Sequence, residues 1–139
     1  MALREQLRGT GVAVITPFQA DMSIDYPALE RVLDFVIKGG VDYVVTMGTT
    51  GETPTLSREE KKAIILFTYE KVAGRVPIVV GVSGNNTSEL IKDLAWFPLE
   101  KAAAVCFNFS ISSNNSLIGF SKSRNCRFFA CDIIVLSIS

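Results

Sequence analysis

The sequence contains no histidine, and it has three cysteines and five prolines. Without histidine, the chain has no histidine general base, no Ser-His-Asp triad and none of the commonest metal ligand. The cysteines, at positions 106, 126 and 131, are odd in number and no pair has zinc-ligand spacing, which predicts free thiols and no metal site. Any chemistry must therefore use hydroxyls, carboxylates, lysine, cysteine or a cofactor.

The chain also lacks an excess of either charge, because 14 Lys and Arg balance 14 Asp and Glu. This balance gives no basic footprint for nucleic acid. No apolar run approaches the ~18 residues that span a bilayer, and the polar start of the chain has no secretory h-region. We therefore expect a cytoplasmic protein that binds neither nucleic acid nor membrane. Hydrophobic residues make up 48%, which argues against disorder of the whole chain.

A repeat of about thirty residues, the length of one βαβ unit, runs along the first part of the chain. Each unit has a short apolar, β-rich segment followed by an amphipathic helical pattern. This alternation predicts an α/β fold with a parallel sheet, and four such units fit either an open doubly wound sheet or a closed barrel. The apolar segments are Val12-Ala13-Val14-Ile15, Tyr43-Val44-Val45, Ile78-Val79-Val80 and Ala102-Ala103-Ala104-Val105. Thr46 and Met47 are expected to continue the second strand into the core.

The three helical patterns carry their own start positions. Asp25 is predicted as the N-cap of the first helix, Ser57 with Glu60 as a capping box for the second, and Asn86 as the opening of the third. Apolar residues then recur at helical spacing. The apolar positions expected to face the sheet are Leu29, Val32, Leu33, Val36, Ile37, Ala63, Ile64, Phe67, Val72, Leu90, Ile91 and Leu94.

The composition and the hydrophobic pattern of the sequence change after Val105. All three cysteines lie in residues 106–139, and no helical or strand period is visible from Cys106 to Phe129. The Ile-Ile-Val-Leu run at 133–136 is predicted to be a strand. The chain therefore divides into residues 1–105, which carry the repeat, and an atypical tail at residues 106–139.

The loop after the second strand is the segment most suited to chemistry. Its sequence, Gly-Thr-Thr-Gly-Glu at 48–52, precedes the helix with the capping box. Gly48 and Gly51 let the backbone turn and approach a ligand. Successive N–H groups with the hydroxyls of Thr49 and Thr50 suit a small anion such as a carboxylate. The alternative is an ordinary glycine-rich turn whose threonines cap the backbone.

Three runs together resemble the dihydrodipicolinate synthase family: Gly-Thr-Gly-Val-Ala-Val-Ile-Thr-Pro-Phe at 9–18, the loop at 48–52, and Pro-Ile-Val-Val-Gly-Val-Ser-Gly-Asn-Asn-Thr at 77–87. The resemblance covers residues 8–105. It implies the first four units of a (β/α)8 TIM barrel and a lyase that condenses pyruvate with aspartate semialdehyde in lysine biosynthesis. In such enzymes a lysine forms a Schiff base with pyruvate, without metal or bound cofactor. A related pyruvate lyase acting on a sugar acid, such as N-acetylneuraminate lyase, is the alternative, although Thr49 favours the synthase.

The resemblance also implies roles for single residues. Thr50 would bind the pyruvate carboxylate, and Thr49 would line the same site and be the middle hydroxyl of a tyrosine–threonine–tyrosine proton relay. Gly48, Gly51 and Glu52 would shape the loop. Many members are homo-oligomers, dimers or homotetramers, that bind lysine as an inhibitor. The matching positions here are Thr53, Pro54, Arg58, Lys61, Asn85 and Glu89. Pro54, Arg58 and Lys61 depart from the familiar residues, and solvated charges at a helix start are the alternative.

The resemblance ends at the fourth strand. Where the family has a Pro-Tyr-Tyr-Asn motif, the sequence reads Cys-Phe-Asn-Phe at 106–109, and the relay tyrosines, the substrate-binding arginine and the Schiff-base lysine are not found. Lys101 and Lys122 do not match the lysine position. The 139-residue chain is therefore predicted to be incomplete and inactive alone. A frameshift near Val105 is one interpretation of the tail; a divergent tail or a retained intron is another. A non-catalytic half-barrel that assembles with a partner is the third reading of function.

Overall fold

The computed structural model describes residues 3–84, 86–108, 127–129 and 133–136. The helices are α1 Leu3–Gln6, α2 Tyr26–Lys38, α3 Arg58–Val72 and α4 Thr87–Trp96. The strands are β1 Gly11–Ala13, β2 Tyr43–Thr46, β3 Ile78–Ser83, β4 Ala104–Asn108, β5 Arg127–Phe129 and β6 Ile133–Leu136. Two short 3-10 turns, Thr49–Gly51 and Thr53–Thr55, lie between β2 and α3.

The order of the strands decides between the two α/β architectures. β1, β2, β3 and β4 pair in sequence order and all in parallel, with α2, α3 and α4 as the crossovers. A doubly wound sheet would reverse its strand order at a switch point, whereas sequential order with crossovers of one hand places every helix on the same face. The sheet is therefore the first four units of a (β/α) barrel, and the predicted fold is confirmed.

The tail adds two strands to the same sheet. β6 pairs antiparallel with β4, and β5 pairs antiparallel with β6. The strand predicted at 133–136 is confirmed. The expectation of no strand between Cys106 and Phe129 is wrong at both ends, because β4 runs on to Asn108 and β5 covers Arg127–Phe129. The backbone of β4 continues to pair with that of β3, up to Ser83 opposite Asn108, and this pairing does not require an alternating side-chain pattern.

Helix α2 forms as predicted. The Asp25 carboxylate accepts a hydrogen bond of 2.8 Å from the Ala28 N–H, which satisfies one of the unpaired donors in the first turn. Leu29 and Leu33 are fully buried. The other members of the predicted stripe, Val32, Val36 and Ile37, are partly buried against the core. Each side chain at full burial stabilises the fold by about 1.5–3 kcal/mol, so packing of this stripe holds α2 on the sheet.

The starts of α3 and α4 also follow the sequence. In the capping box of α3, the Ser57 hydroxyl accepts from the Glu60 N–H at 3.2 Å, and the Glu60 carboxylate accepts from the Ser57 N–H at 2.7 Å. At α4, the Asn86 side chain accepts from the Ser88 N–H at 2.9 Å. Ile91 was expected on the inner side of α4 but is half exposed, because the helix turns Leu90 towards the core instead.

The core lies between the helices and the parallel strands. Its fully buried side chains come from α2, α3 and the strands, and the largest include Leu29, Leu33, Ile64, Ile65, Val44, Val72, Val80, Val82 and Val105. All of β3 up to Val82 is buried, as expected of a strand covered on both faces. Among the described helices, none is long and apolar enough to cross a membrane.

Candidate functional site

The loop at residues 48–52 lies directly beyond the carboxyl end of β2, the end of the strands where barrel enzymes carry their sites. It forms a single 3-10 turn, Thr49–Gly51. The turn is closed by hydrogen bonds from the Gly51 N–H to the Gly48 carbonyl, at 3.0 Å, and from the Glu52 N–H to the Thr49 carbonyl, at 3.1 Å. The turn therefore has a fixed backbone shape.

The two threonines of the loop face outward. Thr49 and Thr50 are both exposed. The N–H of Thr50 takes no part in the bonds that close the turn, and it makes no hydrogen bond within the part of the chain that the structure describes. An exposed N–H donor and an adjacent hydroxyl are the groups that a small carboxylate needs.

The left-handed backbone conformations in this segment belong to residues next to the glycines, and not to the glycines themselves. Gly48 has φ −74 and ψ 179, extended backbone that any residue adopts, whereas Met47 (φ 58) and Glu52 (φ 53) are left-handed. Met47 is buried in the core as expected, but it lies outside the strand, because β2 ends at Thr46. Gly51 is buried beside Thr16, where a Cβ would lie 3.4 Å from the Thr16 hydroxyl, an ordinary van der Waals contact.

Two residues outside the loop contact it, one after β1 and one in β3. The buried Thr16, which follows β1, donates a hydrogen bond of 2.8 Å from its hydroxyl to the Gly51 carbonyl. On the other side, Gly81 of β3 lies against the backbone of Met47 and Gly48. Sequence reasoning assigned neither residue to the site. The pattern that reveals Thr16 is a polar residue within an apolar run, because a buried hydroxyl there requires a partner.

Of the residues expected at an inhibitor site, Thr53, Arg58 and Lys61 lie close to Asp93 of α4. Pro54 is exposed in the second 3-10 turn, and Asn85 is outside the described residues. Thr53 is buried and, with Lys61, lines a small recess that also includes Asp93. The Nε of Arg58 donates to the Asp93 carboxylate at 2.7 Å. Glu89, one turn before Asp93 on α4, is exposed and bound to a lysine of its own helix.

Asp93 is the residue in this region that sequence reasoning missed. Its Oδ1 accepts from Arg58 Nε and lies 2.6 Å from Arg58 Nη2. The Arg58 guanidinium carbon lies 5.1 Å from the centre of the Trp96 ring, and Lys62 Nζ lies 4.7 Å from the same ring centre. Trp96 is partly buried against the core and Phe97 is buried, so both pack as expected. These contacts fasten the start of α3 to α4 and leave Arg58 with a partner.

Local charge and burial shift several pKa values. The hydrogen bonds from the backbone and side chain of Ser57 lower the pKa of Glu60. The Lys92 ammonium, by hydrogen bond and by charge, lowers the pKa of Glu89. Burial raises the pKa of the Cys106 thiol to about 11, so this thiol is an inert group in β4. Among the described residues, no three His, Cys, Asp or Glu side chains are grouped to hold a metal ion.

The sequence profile described as the Dihydrodipicolinate synthetase family matches residues 6–97, which is more than half of the chain. The chain belongs to this family. Among curated relatives, the 4-hydroxy-tetrahydrodipicolinate synthase of Azobacteroides pseudotrichonymphae is 53% identical over 88 residues, which are 63% of this chain and 30% of the relative. The corresponding synthase of Parabacteroides distasonis is 52% identical over 88 residues, with the same shares. The chain thus spans about a third of the length of the curated relatives that it matches.

Solved structures of the family share the fold. Dihydrodipicolinate synthase from Bacillus clausii superposes with a TM-score of 0.72 at 30% identity, covering 81% of this chain and 38% of that chain. YagE, a prophage protein of E. coli K12 that belongs to the dihydrodipicolinic acid synthase family and was solved in complex with pyruvate, gives a TM-score of 0.69 at 32% identity, covering 78% and 37%. These likenesses agree with the barrel assignment made from the strand order.

Proposed function

We propose that this chain provides the carboxylate-binding loop of a lyase that condenses pyruvate with aspartate semialdehyde, through a lysine Schiff base, in lysine biosynthesis. The observation that carries the proposal is the closed turn at residues 48–52, with the exposed Thr50 at the carboxyl end of a barrel strand. Relatives at about half identity are named 4-hydroxy-tetrahydrodipicolinate synthase, and a structural neighbour holds pyruvate.

In this proposal each threonine has its own task. The N–H and hydroxyl of Thr50 donate hydrogen bonds to the carboxylate of pyruvate, and fixed donors of this kind act without reorganising during the reaction. The hydroxyl of Thr49 passes a proton between neighbouring groups, because a hydroxyl is both a donor and an acceptor. Gly48, Gly51 and Glu52 maintain the backbone around them.

The second part of the proposal is that the 139-residue chain does not form the imine by itself. The described lysines lie on the outer helices or before β4: Lys61 lines the recess between α3 and α4, Lys71 pairs with Glu30 at 3.2 Å, and Lys101 precedes β4. We propose that the lysine, the relay tyrosines and the arginine come from barrel units beyond β4, and that the full-length form is a homo-oligomer.

A shifted reading frame near Val105 remains our hypothesis for the tail, and gene sequencing through codon 139 and beyond tests it. A family-like continuation in another frame is expected; its absence from every frame would refute it.

A titration of the 15N-labelled chain with pyruvate tests the loop. We expect saturable shifts of the Thr49, Thr50 and Gly51 amide resonances, and none with methyl pyruvate, which has the same ketone without the carboxylate. Thr50→Pro, which removes the N–H donor, should abolish the shift of Gly51. Equal shifts with both ligands, or none with pyruvate, would refute carboxylate binding here.

A second experiment tests the missing nucleophile. The chain is incubated with pyruvate and borohydride, which reduces an imine to a stable amine, and is then analysed by mass spectrometry. We expect no covalent gain. A pyruvate-derived adduct on any lysine would contradict the proposal that the chain alone lacks the Schiff-base residue.

A further inference from the structure

The backbone of the loop contains a chain of hydrogen bonds that begins outside it. The Thr16 hydroxyl donates to the Gly51 carbonyl at 2.8 Å. That carbonyl belongs to the peptide unit whose N–H is on Glu52, and this N–H donates to the Thr49 carbonyl at 3.1 Å. The Thr49 carbonyl in turn belongs to the peptide unit whose N–H is on Thr50. Two peptide units therefore separate the Thr16 hydroxyl from the exposed donor.

The geometry of these peptide units fixes where the last donor points. The described chain contains no cis peptide bond, and in a planar trans peptide the C=O and N–H point in opposite directions. When the Glu52 N–H holds the Thr49 carbonyl, the Thr50 N–H must point in the opposite direction, away from Glu52. When Thr16 holds the Gly51 carbonyl, the Glu52 N–H is aimed at the turn. Each bond in such a series also polarises the next.

We propose that Thr16 is a positioning residue for the carboxylate-binding loop, acting through the Gly51–Glu52 and Thr49–Thr50 peptide units on the N–H of Thr50. This inference rests on the proposed function of the loop, and it adds a residue from the segment after β1 that acts without touching the ligand. Thr16 is suited to this role because it is only 5% exposed, so water does not compete for its bond to Gly51. Gly81 supports the other end of the loop, where its missing side chain gives room to the Met47 carbonyl.

The test compares four labelled chains: wild type, Thr16→Val, Thr16→Ser and Thr68→Val. Valine replaces the hydroxyl with a methyl group, whereas serine keeps it. Thr68 is a matched control, because it is 1% exposed and its hydroxyl also donates to a backbone carbonyl at 2.8 Å, that of Ile64, but inside α3. Two quantities are measured for each chain: the hydrogen-exchange rate of the Glu52 amide and the Kd for pyruvate.

Loss of one buried hydrogen bond corresponds to about a tenfold change in an equilibrium constant. We therefore expect Thr16→Val to raise both the Glu52 exchange rate and the pyruvate Kd about tenfold, and Thr16→Ser to restore both to within about twofold. Thr68→Val should lower stability without moving either. If Thr16→Val does not fold, Thr16→Cys, which carries a weak S–H donor, provides the same comparison with serine.

The outcomes separate this inference from the proposed function. A wild-type chain without saturable pyruvate binding would refute the function; a tenfold rise of Glu52 exchange in Thr16→Val would then still support the control of the turn by Thr16. An unchanged Glu52 exchange rate in Thr16→Val would overturn the inference whatever pyruvate does. Equal effects of Thr16→Val and Thr68→Val on the Kd would also overturn it, since general destabilisation would then be the cause.

Discussion

Replacing Gly81 with alanine should be far more damaging than its size implies. A Cβ at this position of β3 would lie 2.7 Å from the carbonyl carbon of Met47 and 2.9 Å from the nitrogen of Gly48, and closer still to the Met47 carbonyl oxygen. These are backbone atoms at the end of β2, so no side-chain rotation relieves the contact. The paired strands or the loop must separate instead.

The expected cost follows from the kind of atom that is displaced. Overpacking a core costs typically about 1–3 kcal/mol, and we expect Gly81→Ala to lower the free energy of unfolding by about 3 kcal/mol, the upper end, because the obstacle is rigid. Gly48→Ala is the matched control. Its φ of −74 is open to any residue, and the nearest atom to a new Cβ is a Val45 methyl at 3.8 Å. It should remain within about 1 kcal/mol of wild type.

Urea unfolding followed by the fluorescence of Trp96, the single tryptophan, measures both variants. The midpoint should fall in Gly81→Ala while the slope stays unchanged, which identifies a change in stability rather than in the surface exposed. A Gly81→Ala chain within about 0.5 kcal/mol of wild type, the range of ordinary surface substitutions, would refute the close approach of β3 to the loop. So would equal losses in the two alanine variants.

Three further predictions concern the helices and β4. Ser57→Ala should lower stability by about 1 kcal/mol near neutral pH. Because the folded-state pKa of Glu60 is depressed, the wild type should lose part of its stability as pH falls from the unfolded-state pKa of 4.5 through the folded-state pKa. The Ser57→Ala chain should lose less stability over the same pH range. Asp93→Asn, which breaks the ion pair between α3 and α4, should cost about 1 kcal/mol in a urea melt. Asp34→Asn, at a more exposed pair, should cost less, and equal losses would contradict the role of burial. With its pKa near 11, Cys106 should be alkylated by iodoacetamide at pH 8 at least about a hundredfold more slowly in the folded chain than in urea, by peptide mass mapping, and equal rates would contradict its burial.

Local patterns in the sequence predicted most of the fold. The caps at Asp25 and Ser57 need only residues within one turn of the helix, so their hydrogen bonds form as the spacing indicates. The strand order did not follow from the pattern, because four βα units fit two architectures until their pairing is known. Likewise β4 extends beyond Val105 through backbone pairing with β3, for which side-chain periodicity carries no information.

The candidate site also has one part that the sequence predicts and another part that it does not. The loop of threonines at 48–52 is recognisable because its residues are adjacent in sequence and follow a strand. The bond from Thr16 to Gly51 joins residues 35 positions apart, and the contact of Arg58 with Asp93 spans the same separation. Such contacts depend on how neighbouring units pack, so spacing along the chain does not reveal them. A buried threonine in an apolar run shows that a partner exists without showing which one.

The position of β6 has a consequence for how the sheet grows. β6 pairs with β4 from Val105 to Asn108 along the edge opposite β3, and one edge of a strand has a single row of donors and acceptors to offer. A fifth parallel strand of a barrel would need that same row. The two arrangements are therefore mutually exclusive, because both use the same edge of β4. Completing the barrel at this edge requires β6 to leave, so any interaction that stabilises β6 on β4 inhibits barrel completion.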